Sequence, residues 1–153
     1  MTGLQFEPLS SSVGAEIRGV DLSNIDDATF GEVARAFDNH HGLLLRGQNL
    51  SPDDLVAFSK RFGGLDHAPI MENGKTAVSG YPEIYIVSNI KGDDGKEIGS
   101  LGAGEAVWHT DMSYLQNPPD ISMLYALEVP PSGGDTSLCS MAAAHDELPA
   151  ELR

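Results

Sequence analysis

His109 and Asp111 stand two positions apart in the stretch Trp108-His109-Thr110-Asp111, and no other feature of the chain constrains its backbone so strongly. On an extended strand residues i and i+2 share a face, whereas on a helix they diverge. Read as a strand, the stretch presents an imidazole and a carboxylate side by side, with Trp108, Thr110 and Met112 turned to the other face to pack. One more histidine would complete a two-histidine, one-carboxylate set that leaves metal positions open and suits non-haem Fe(II). No later histidine in the chain is placed to supply it.

A His-x-Asp tripeptide arises by chance about 0.4 times in a chain of this composition, so its surroundings must carry the reading. His145-Asp146-Glu147 is a control: it lies in a helical pattern, where i and i+2 point apart, and His145 reads as a surface residue. His40-His41 falls at a helix end, where a cap or surface role fits the negative pole of the helix dipole. His67, in a loop after the second helix, is the candidate substrate contact, set against the plainer reading of a solvated loop histidine. Gly133-Gly134-Asp135-Thr136 by itself marks only a hairpin turn.

The 153 residues, 41% hydrophobic and 21% charged, fit one globular domain, 1–153. A formal charge of -14, with nine Lys and Arg spread along the chain, argues against nucleic acid as a partner. The single cysteine, Cys139, cannot form an internal disulfide and reads as a small buried residue beside Leu138 and Met141. The N-terminus lacks the basic and apolar regions of a leader, and no apolar run approaches a membrane span. The expectation is a cytoplasmic protein without a membrane partner.

Periodicity predicts short strands over 6–9 and 15–20, split by Ser10-Ser11-Ser12 and Gly14. A helix capped by Asp26 or Asp27 follows, with Phe30, Val33, Ala34 and Phe37 along one stripe. Residues 42–45 read as a buried strand. Ser51-Pro52-Asp53-Asp54 opens a second helix through Leu55, Phe58 and Phe62, stopped by Gly63-Gly64. Strands are expected over 84–87, 121–129 and 136–140, and a helix over 141–148 with a further turn from Pro149. Five glycines between Lys91 and Gly104 predict a mobile loop leading into the His109 segment, a candidate lid.

Together these motifs resemble the TauD/TfdA family of taurine and 2,4-dichlorophenoxyacetate dioxygenases. The likeness runs from Trp108-His109-Thr110-Asp111 through Pro118-Pro119, Ser122-Met123-Leu124-Tyr125-Ala126, Val129-Pro130-Pro131 and Gly133-Gly134-Asp135-Thr136 to Ala142-Ala143-Ala144. It includes Gly14-Ala15-Glu16-Ile17-Arg18-Gly19-Val20-Asp21-Leu22 and Arg61-Phe62-Gly63. The resemblance implies a mainly β, α+β fold, a double-stranded β-helix (jelly-roll, cupin-like) with flanking helices, incomplete in this chain. It implies an Fe(II)- and 2-oxoglutarate-dependent oxygenase, with His109 and Asp111 as catalytic iron ligands and Thr136 hydrogen-bonded to a 2-oxoglutarate carboxylate. The implied reaction hydroxylates a small, anionic organic substrate with O2 and releases succinate and carbon dioxide; the implied assembly is a homo-oligomer.

Asp111 favours hydroxylation over halogenation, because related halogenases carry a small residue there. In taurine-using members a histidine directly precedes the proline matching Pro69; here that residue is Ala68, with His67 one earlier, which argues against taurine. The family's distal iron-binding histidine and its 2-oxoglutarate-binding arginine fall beyond Arg153. The expectation is therefore a partial chain holding half of the active site, weak in iron binding and prone to associate through open strand edges. Two alternatives stand beside the oxygenase: a non-catalytic metal- or keto-acid-binding module, and a cupin-like protein for another divalent ion.

Overall fold

Ala15, Glu16 and Ile17 are all buried, so the strand that carries them is covered on both faces. The computed structural model describes residues 3–68, 77–96, 98–101 and 107–153. It divides into two units, Met1–Leu55 with Ala126–Arg153, and Val56–Tyr125.

In the first unit, β1 (Gln5–Pro8) pairs antiparallel with β2 (Ala15–Arg18), and β2 pairs parallel with β3 (Leu43–Leu45). The order β1-β2-β3 puts β2 at the centre. Ser10 closes the β1–β2 connection: its hydroxyl accepts from the Val13 amide at 2.9 Å and donates to the Val13 carbonyl at 2.6 Å. The parallel β2–β3 pair needs a crossover, which α1 (Asp27–His40) supplies. Asp26 caps α1 by accepting from the Thr29 amide at 2.7 Å. His41 ends it in the left-handed region at φ 59°, donating its amide to the Phe37 carbonyl, which is the capping role expected there. Helix α1 packs on β2 and β3, and Val33 and Ala36 are buried with Ala15 and Ile17.

Glu16 occupies the face of β2 opposite Ala15 and Ile17, and directly across from it in register stands Glu7. Two carboxylates so placed repel. Arg18, two residues on and on the same face, resolves the conflict by binding Glu16 at 2.7 Å and Glu7 at 3.6 Å. Arg46 adds a second cation to Glu16 at 3.4 Å. These partners hold the Glu16 carboxyl below its ordinary pKa, the Arg18 hydrogen bond contributing most. Gln48 ties two connections together: its Oε1 accepts from the Leu22 amide and its Nε2 donates to the Val20 carbonyl, both at 3.0 Å.

The second helix, α2 (Pro52–Lys60), begins as its sequence prescribes. Ser51 Oγ accepts from the Asp54 amide at 3.2 Å, and Asp54 Oδ2 accepts from the Ser51 amide at 2.9 Å, a reciprocal cap. In the Val56–Tyr125 unit Phe58 is buried and meets Phe62 edge to face, with centroids 5.5 Å apart. There β4 (Val87–Ser88) pairs with β5 (Ser100–Leu101). Helix α3 (Met141–Asp146), capped by Ser140, and a 3-10 turn over Ala150–Leu152 follow in the first unit.

Several expectations are corrected. Residues 84–87 contribute to a strand only at Val87, and among the described residues none of 121–129 or 136–140 is in a strand. A strand holds its shape through a ladder partner, and among the described residues none pairs with these segments; Leu124, Leu127 and Val129 are exposed. Cys139 is exposed, with its neighbours Leu138 and Met141 exposed as well. The glycine-rich stretch, where it is described ahead of β5, is a loop as expected, with a turn in which Gly92 donates to the Lys96 carbonyl at 2.8 Å and Ile98 to the Ile90 carbonyl at 3.0 Å. Glu97 and residues 102–106, with Gly102 and Gly104, lie outside the described residues, as does Pro69.

Candidate metal centre

Residues 107–110 carry no regular secondary structure, and a turn begins at Asp111. The strand expected here is not formed. Met112 sits in the left-handed region at φ 50°, and Leu115 donates to the Met112 carbonyl at 3.0 Å, so the chain folds back directly after the carboxylate. Trp108, expected to pack, is 66% exposed.

The two candidate ligands nonetheless meet. His109 Nε2 lies 3.1 Å from Asp111 Oδ1. The other ring nitrogen, Nδ1, lies 2.7 Å from the Val107 carbonyl oxygen. A carbonyl only accepts, so Nδ1 carries the proton and Nε2 presents either its lone pair or, in the imidazolium, a second proton to Asp111. The Val107 carbonyl, and after it Asp111, raise the His109 pKa above its ordinary value. Asp111 Oδ2 accepts from Ser122 Oγ at 2.7 Å, a contact that local spacing could not reveal because it spans eleven residues.

This donor set fits a divalent cation. Two ligands at right angles on an octahedral ion with bonds of about 2.1 Å are separated by about 3 Å, which matches the Nε2 to Oδ1 separation. A backbone acceptor on the remote ring nitrogen is also the usual support of a metal-binding histidine. Among the described residues, no group of three or more His, Cys, Asp or Glu side chains is placed to hold a metal.

Thr136 belongs to the first unit, where it lines an open cavity of about 550 Å³ with Leu9, Gly14, Leu138, Ser140 and Ala143. It follows the turn at Gly133 and Gly134, both at positive φ, which only glycine adopts without strain. His67 is exposed in the loop after α2, next to Ala68, whose amide donates to the Pro82 carbonyl at 2.8 Å. His145 lies exposed on α3, as its helical pattern indicated.

Residues 5–153 match the model of the taurine catabolism dioxygenase TauD, TfdA family. The chain belongs to this family. Among TauD/TfdA relatives, it is 37% identical over 153 residues to the alpha-ketoglutarate-dependent 2,4-dichlorophenoxyacetate dioxygenase of Cupriavidus pinatubonensis, covering 95% of this chain and 53% of that protein. It is 39% identical over 146 residues to pentalenolactone F synthase of Streptomyces avermitilis, covering 94% and 47%. It therefore spans about half the length of the curated relatives it matches. Among solved TauD/TfdA structures, a taurine dioxygenase from Burkholderia xenovorans superposes with a TM-score of 0.56 at 29% identity, over 76% of this chain and 37% of that one. No helix among the described residues is long and apolar enough to cross a membrane.

Proposed function

We propose that the protein is an Fe(II)- and 2-oxoglutarate-dependent dioxygenase that hydroxylates a small organic acid. The observation that carries this reading is the 3.1 Å approach of His109 Nε2 to Asp111 Oδ1 in a chain of the TauD/TfdA family. His109 and Asp111 would hold the iron, and Thr136 would donate its hydroxyl to a 2-oxoglutarate carboxylate. In the bound state the iron and keto acid supply the oxidising chemistry: one oxygen atom of O2 enters succinate as carbon dioxide leaves, and the other enters the substrate as a hydroxyl.

The chain's own residues orient that chemistry. The Val107 carbonyl fixes the His109 tautomer, and Asp111 supplies the anionic charge that neutralises part of the cation. The relative named for 2,4-dichlorophenoxyacetate points to an aryloxyalkanoic acid as the first substrate class to try; His67 is the proposed substrate contact. We read residues 1–153 as belonging to one domain of the double-stranded β-helix type, in a cytoplasmic homo-oligomer.

Anaerobic addition of Fe(II) and 2-oxoglutarate, followed by air and a panel of aryloxyalkanoic acids, sulfonates and sulfate esters, tests the proposal. A visible charge-transfer band on chelation, then substrate-dependent succinate release, is the expected result. A band without succinate release would favour the binding-module alternative, and no band with no succinate would overturn the reading.

A further inference from the structure

A carboxylate on a short side chain offers two equivalent oxygens to a metal until something distinguishes them, because the terminal torsion of Asp is broad and two-fold. In this chain they are distinguished. Ser122 Oγ donates to Asp111 Oδ2 at 2.7 Å, while Oδ1 faces His109 Nε2 at 3.1 Å. We propose that Ser122 is a positioning residue that fixes the rotation of the Asp111 carboxylate, so that Oδ1 is the oxygen presented to a divalent cation beside His109. The inference rests on the reading of His109 and Asp111 as metal ligands.

Hydrogen bonds from hydroxyl to carboxylate are charge-assisted and short, and this one has that length. Its donor is also anchored. The adjacent Met123 accepts through Sδ from Ser59 Oγ at 3.3 Å, and Ser59 lies in the last turn of α2. The serine is thus carried on a segment tied to a helix, while the carboxylate it holds sits at the start of an exposed turn. Val107 does the equivalent for the imidazole, and the two contacts immobilise both donors from their outer sides.

Anaerobic titration with Co(II), read by its visible absorption, tests the proposal in the parent protein and in Ser122→Ala, Ser122→Val and Ser122→Thr. Valine and threonine share a shape and differ in the hydroxyl. Loss of an outer-sphere partner typically weakens metal binding about 10- to 100-fold, so Ser122→Ala and Ser122→Val should bind Co(II) at least about tenfold more weakly with an altered spectrum, while Ser122→Thr restores both. Equal affinity and spectrum in the valine and threonine variants would overturn the proposal and leave the metal reading intact. Absence of any Co(II) band that His109→Ala abolishes would overturn the metal reading and this proposal together.

Discussion

The Nδ1 of His109 lies 2.7 Å from the carbonyl oxygen of Val107, two residues earlier in the chain, and this hydrogen bond, with the hydrogen bond and charge of Asp111, raises the imidazole pKa. A raised value in the folded protein means that the protonated pair contributes stability fully below the ordinary histidine pKa and loses it as pH rises through the elevated one. NMR titration should therefore find His109 above the ordinary range, and Asp111→Asn should lower it without returning it fully. Metal binding runs the other way. Protons compete for Nε2, so divalent-metal affinity should fall as the solution is acidified through the His109 titration, as isothermal titration at several pH values would show.

Glu16 sets a second pH dependence, of opposite sign. Its folded pKa is depressed by Arg18 and then Arg46. The ion pairs contribute above the unfolded glutamate pKa and are lost as pH falls through the depressed folded value. Thermal melts of Glu16→Gln should be lower than the parent at neutral pH, and the difference should shrink toward strong acid. A constant difference across that range would contradict the assignment.

Asp26 caps α1 through the Thr29 amide. Replacing it with alanine leaves that donor to water and should cost about 1 kcal/mol, measurable as a shift in the urea midpoint without a change in slope. Asp26→Asn keeps the acceptor and should recover most of the loss.

Ile17 is 1% exposed at the centre of the sheet, beneath α1. Ile17→Ala should destabilise by about 2 to 5 kcal/mol, and Ile17→Val by roughly 1 kcal/mol, because the cost scales with the void left behind. Equilibrium unfolding of both variants would establish the gradient; equal effects would mean the site collapses around the smaller residue.

Local signals were legible wherever the physics is local. The caps at Asp26 and Ser51, the Ser10-Ser11-Ser12 break and the helix at 141 each depend on residues within four positions, and each forms where it was read. The strands over 121–129 and 136–140 were not legible in this way, since their apolar character promises a strand only if a neighbour completes the ladder. His109 and Asp111 show both outcomes. Their proximity was anticipated from a strand, yet it arises in an irregular segment followed by a turn at Met112. The contact from Ser122 and the pairing of Glu7 with Glu16 depend on tertiary placement, which no spacing rule encodes.

The central position of β2 has a kinetic consequence. Its Ala15 amide donates to the Gly42 carbonyl, and its two borders join segments on either side of a fourteen-residue helix. Exchange with deuterated solvent at the Ala15 amide therefore requires the β3 side to release, and the amides of residues 15–17, in the central strand, should be the slowest reporters of opening in the N-terminal region.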